Sequence, residues 1–148
     1  NMRIVAKNMN DALVKIDSKG KDYYQANYRR LDAELAAFAD SLRQVLAPVR
    51  GQAFVVWHPA LSYFARDYGL EQIGIEYEGK EAPAGFVAEK MKEARKKNAR
   101  VFFMQTGAGS RQAETVCAGI GLRRVEINPL SYDWKKEMRR IADGITSE

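Results

Sequence analysis

Residues 54–70 constrain this 148-residue chain more than any other stretch. They read Phe54-Val55-Val56-Trp57-His58-Pro59-Ala60-Leu61-Ser62-Tyr63-Phe64-Ala65-Arg66-Asp67-Tyr68-Gly69-Leu70. The run Ala53–Trp57 is apolar throughout, the pattern of a strand covered on both faces. The chain then turns at His58. Pro59 suits the first position of a helix, where its missing N–H costs nothing. Leu61, Phe64, Ala65 and Tyr68 recur at the spacing of one helix face, so a helix over Pro59–Tyr68 is expected to pack that face inward. Gly69 is free to take the left-handed conformation that ends it. The one histidine of the chain therefore stands at the carboxyl end of a strand, where open α/β sheets collect ligands.

From Gly51 onward the same alternation repeats. Further strands are expected at Leu70–Glu76, Val101–Met104 and Arg123–Ile127, and further helices at Phe86–Asn98, Ser110–Ile120 and Ser131–Ile145. Short connections between such units imply a parallel sheet with right-handed crossovers. The first and third strands are apolar throughout and belong in the centre; the second and fourth carry charges, as edge strands do. The sequential order that satisfies this is 2-1-3-4. The order reverses between strands 1 and 3, so a cleft should open at their carboxyl ends. His58 and Gln105 flank that point, with Asn128 at the next strand end and Glu76 across. Cys117 falls on an inward helical stripe with Ala113, Val116 and Ile120 and reads as a core residue.

Two helices precede the sheet. The first is expected over Met2–Ile16, with Met2, Val5, Met9, Ala12, Leu13 and Ile16 along one face. Asp17-Ser18-Lys19-Gly20 is a turn by composition. Tyr24, Tyr28, Leu31, Leu35, Phe38, Leu42 and Val45 then follow a strict 4-3 spacing, a heptad stripe on one long helix that Pro48 ends. The fold class is therefore α/β: a four-stranded parallel sheet flanked by helices, preceded by one medium and one long helix. Residues 1–7 drop straight into a helical pattern, which suggests a piece of a longer protein. Residues 1–19 would then belong to a lobe outside the chain, 20–48 to a long spanning helix, and 49–148 to a C-terminal α/β lobe.

The net charge of +5 would suit an anionic partner, but the basic residues mix with acids along helices, as in Glu89-Lys90-Met91-Lys92-Glu93, the signature of a solvated face. No strand interleaves aromatic and basic residues as a nucleic-acid platform does. One cysteine excludes an internal disulfide framework. No serine or cysteine pairs with His58 by spacing, so a hydrolase triad has nothing to rest on. Thr106-Gly107-Ala108-Gly109-Ser110 follows a strand and opens a helix, but Gln112 stands where the dinucleotide fingerprint needs its third glycine. A flexible connection is the plainer reading. Asn128 has an amide oxygen able to ligate a cation, and an equally ordinary role in a turn or helix cap.

The segment His58–Leu70 resembles the "H-x-A-x-x-Y-F-A-x-x-Y-G-L" segment of the zinc- and manganese-binding receptors of ABC transporters. Ala12-Leu13-Val14-Lys15-Ile16-Asp17, Tyr23-Tyr24-Gln25-Ala26-Asn27-Tyr28 and Ile127-Asn128-Pro129-Leu130 agree with it in order, so the likeness runs along essentially the whole chain. The resemblance implies two α/β lobes joined by one long helix, with the metal between them. It implies that His58 ligates zinc or manganese. Asn128 falls where many members place a ligating aspartate, which makes it a weak candidate ligand, and the two remaining ligands would lie upstream of this chain. The implied partners are the metal ion and an ABC permease, outside the cytoplasm, with no catalysis. With its companion lobe absent, the apolar face of the first helix and the heptad stripe of the second are expected to drive a homodimer of this chain. Two other classes fit the residues: a flavodoxin-like enzyme using His58 as general base, with Glu76 or Glu78 as its second titratable group, and a helix-mediated interaction module built on the stripe.

Overall fold

The computed structural model describes residues 1–77, 82–107 and 111–147. Its elements run α1 (Met2–Ile16), α2 (Lys21–Leu46), β1 (Ala53–Val56), α3 (Ser62–Tyr68), β2 (Glu71–Gly74), α4 (Ala84–Lys96), β3 (Val101–Gln105), α5 (Arg111–Ile120), β4 (Arg123–Ile127) and α6 (Trp134–Thr146). Two compact units divide the chain, Asn1–Gln44 and Val45–Glu148.

The first unit is α1 and most of α2. Asp17 ends α1, and its carboxylate accepts hydrogen bonds from the backbone N–H groups of Lys19 and Gly20. The same side chain accepts from the Tyr24 hydroxyl at 3.0 Å, so the connection is tied to the first turns of α2. Farther along, Arg3 donates two hydrogen bonds to Asp32, at 2.6 and 2.8 Å. No residue of α1 is buried. Met2, Val5, Met9, Leu13 and Ile16 are all exposed, so the apolar face read from the sequence is present and bare. On the α2 stripe, Leu31 and Val45 are exposed while Phe38 and Leu42 are buried. The unburied apolar surface is therefore chiefly that of α1 and not the whole heptad stripe.

The second unit is the parallel sheet, ordered β2-β1-β3-β4 as the strand hydrophobicity requires. Each of β1 and β3 is buried along its length apart from Gln105 at the tip, whereas β4 shows Arg123, Arg124 and Glu126 to solvent. One face of the sheet carries Ala53, Val55, Trp57, Ile73, Phe102 and Met104, packed with Val87 and Ala94 of α4 and Ala113, Val116 and Cys117 of α5. The other carries Phe54 and Phe103, edge to face at 5.6 Å between ring centres. There Gly144 of α6 lies against Phe103. Covering both faces is what permits continuous apolar runs in β1 and β3. Burial pushes the Cys117 thiol above its ordinary pKa, the state of an inert core cysteine.

Several boundaries differ from the sequence expectation. α3 begins at Ser62 and not at Pro59, because residues 58–61 form a tighter turn, with Ala60 N–H donating to the His58 carbonyl at 2.7 Å. α6 begins at Trp134, three residues later than expected. Asp133 caps it by accepting from the Lys136 N–H, and an asparagine turn occupies residues 128–131. α4 starts two residues early, at Ala84, directly after Pro83. The expected start of α5 at Ser110 and the Ile120 side chain lie outside the described residues. Among the described residues no helix is long and apolar enough to cross a membrane.

Candidate functional site

The site grows from the end of β1. β1 pairs in parallel with β2 at a fixed offset, Ala53 with Glu71 through Val56 with Gly74. The ladder runs on past the strand ends: Ile75 N–H donates to the Val56 carbonyl and Glu76 N–H to the Trp57 carbonyl, at 3.1 and 3.0 Å. Continued by two residues, the same offset sets His58 opposite Glu76. Their side chains meet, Nδ1 of His58 on Oε2 of Glu76. The imidazole is half exposed, at 52%, whereas the carboxylate is mostly covered, at 18%. Trp57 N–H donates to the Phe103 carbonyl, which fixes the same corner from the β3 side.

The turn beyond His58 is held by residues that the sequence did not single out. Gln72 of β2 accepts from the Leu61 N–H and donates to Ser62 Oγ, both at 2.8 Å. Leu61 has no capping side chain of its own, so this amide caps α3 from a neighbouring strand. Gly74 lies under Pro59, where a Cβ would make an ordinary contact with the proline ring at 3.4 Å. At the far end of α3, Gly69 adopts φ 69°, as its position after Tyr68 required.

The remaining candidates lie at the carboxyl ends of the other strands. Gln105 closes β3, half buried and in register with Ile127. Asn128 follows β4 and is exposed. Its Oδ1 accepts from the Leu130 N–H at 3.1 Å, and its own N–H donates to Glu137 at 2.7 Å. Asn128 thus serves as a turn former, though its oxygen keeps a second lone pair. Gln112, the residue that broke the phosphate fingerprint, pairs through both ends of its amide with the N–H and carbonyl of Ala82. It holds α5 to the start of α4. Residues 108–110 of the glycine-rich connection, and Glu78, lie outside the described residues.

Among the described residues no group of three or more His, Cys, Asp and Glu side chains could hold a metal ion. The second unit therefore offers an imidazole–carboxylate pair at the strand ends, which is part of a ligand set or of a proton-transfer pair and complete as neither.

The family model described as zinc-uptake complex component A, periplasmic, matches residues 1–147. The chain is 29% identical over 133 residues to the high-affinity zinc uptake system protein ZnuA of Bacillus subtilis, a match covering 88% of this chain and 42% of that protein. A crystal structure of ZnuA superposes with a TM-score of 0.87 at 33% identity, over 95% of this chain and 55% of the other. A ZnuA deletion variant with zinc bound gives 0.84 at 32%, over 96% and 56%. The chain thus spans about half the length of the proteins that it matches.

Proposed function

The chain belongs to the ZnuA family of periplasmic zinc-uptake components, and from that footing we propose that the protein containing it captures zinc outside the cytoplasm and delivers it to an ABC permease. The observation that carries the reading is the placement of His58, half exposed at the carboxyl end of a central strand. In this reading His58 ligates the metal through a neutral imidazole nitrogen. Imidazole is a borderline ligand that suits zinc better than the harder manganese ion, so manganese is the second choice of cargo. Asn128 is a weak ligand at most, because zinc takes amide oxygen poorly. Capture and release make and break only metal–ligand bonds, and the chemistry is binding alone.

On the same reading, residues 49–148 form one lobe, 20–48 the helix that spans towards a second lobe, and 1–19 a helix belonging with that second lobe. Support comes from the share of each relative that this chain matches and from the bare apolar face of α1. Large exposed apolar patches rarely stay uncovered on soluble monomers. The isolated chain is therefore proposed to form a homodimer through α1. Sedimentation at tens of micromolar tests this, and a monomer that binds no hydrophobic dye would refute it.

Zinc titration of the full-length protein against a competing chelator tests the function. A tight zinc site uses three or four protein groups, so affinity tighter than micromolar, lost in His58→Ala, is expected. No zinc binding by the full-length protein would overturn the proposal.

A further inference from the structure

We infer that Glu76 is the positioning residue for His58: it holds the proton on Nδ1 and turns the Nε2 lone pair outward for the metal. The inference rests on the metal-binding reading above and adds to it the residue that makes His58 a competent ligand.

Three observations converge on it. Nδ1 of His58 contacts Oε2 of Glu76, and an ionised carboxylate only accepts hydrogen bonds, so a neutral imidazole here must carry its proton on Nδ1. Among the described residues no hydrogen bond falls on Nε2, which leaves that nitrogen's lone pair unused. The contact is also built and not incidental. The backbone of Glu76 is locked to that of Trp57, its carboxylate is mostly covered while the imidazole is half exposed, and the parallel register delivers the two side chains to the same level. A ring held in this way by a carboxylate loses its choice of tautomer and much of its rotation. Both restraints present Nε2 in one fixed orientation, ready as a ligand.

Because His58 is the only histidine, its ring nitrogens can be followed without overlap in the 148-residue chain. Nitrogen-15 spectra at about pH 8.5, roughly two units above the ordinary imidazole pKa, report the tautomer directly. Zinc chloride titrated into the same samples reports binding at His58. Wild type is expected to show a single Nδ1–H tautomer, with zinc shifting Nε2. Glu76→Ala should show exchange between both tautomers and zinc affinity lower by roughly 10- to 100-fold. Glu76→Gln keeps an acceptor at the same place and should restore the tautomer. Mixed tautomers in wild type, or undiminished zinc binding in Glu76→Ala, would overturn the inference and leave the metal reading standing. Zinc that leaves the His58 ring unmoved at millimolar concentration in every variant would likewise overturn this inference, while the metal reading stands or falls on titration of the full-length protein.

Discussion

Gly144 of α6 rests on the ring of Phe103 of β3 so closely that a Cβ at position 144 would stand 2.9 Å from Cε1 and 3.1 Å from Cζ. The helix can approach the sheet at this level only because the position is bare. Gly144→Ala gains about 1 kcal/mol of helix propensity and incurs overpacking of about 1–3 kcal/mol. A net loss near 1 kcal/mol should lower the melting temperature by roughly 2–8 °C. Calorimetry on the variant decides it: an unchanged or raised transition would mean that the Phe103 ring has room to swing aside.

Trp57, just past the end of β1, and Phe103 of β3 are almost completely buried, while His58 is half exposed. Trp57→Ala and Phe103→Ala should each cost about 3–5 kcal/mol, a large share of the roughly 5–15 that holds a domain together. His58→Ala should cost little by comparison. Chemical denaturation ranks the three, and finding His58→Ala the least stable would mark the histidine as a structural residue.

Asn128→Asp should tighten zinc binding by the full-length protein on the order of tenfold, equivalent to about 1.4 kcal/mol. The aspartate keeps the oxygen that accepts the Leu130 N–H, so the turn survives, and the neutral amide becomes a charged ligand. Glu137 accepts from the backbone N–H of the same residue, and the two carboxylates will repel, costing some stability. Equal zinc affinity in wild type and variant would place residue 128 outside the metal's reach.

The Arg3 guanidinium, hydrogen-bonded to Asp32, holds that carboxyl below the usual carboxylate range. A folded-state pKa below the unfolded value means that the pairing stabilises above the ordinary carboxyl pKa of about 3.9 and is lost as pH falls through the lower folded value. Both groups are partly exposed, so salt weakens the effect. Amide exchange in α1 should be slower in wild type than in Asp32→Asn at neutral pH, with the two converging on acidification. A difference that persists at pH 2 would show that the substitution disturbs the helices in some other way.

The order of the sheet was legible because its central and edge strands differ so plainly: Val101-Phe102-Phe103-Met104 against Arg123-Arg124-Val125-Glu126-Ile127. His58 stood out as a candidate because a proline corner follows an apolar run. Its partner Glu76 reads along the chain only as a carboxylate across the cleft, although the pairing offset of β1 and β2 leads straight to it. The start of α3 was not legible at all. It depends on the amide of Gln72, on another strand, and helix signals read along the chain cannot see a cap that arrives from the side. For the same reason Gln112 read only as a broken motif, whereas its amide clamps Ala82.

Eighteen positions separate His58 from Glu76, and the strand pairing makes that interval a fixed length. A codon gained or lost between Pro59 and Ile75 must be absorbed inside α3 and its two turns, where Gln72 and Gly69 leave little play. Otherwise the second strand slips by one, Ile75 or Tyr77 faces the imidazole, and every side chain of β2 changes faces. An insertion or deletion within this span is therefore expected to part Glu76 from the imidazole even where the sheet itself survives.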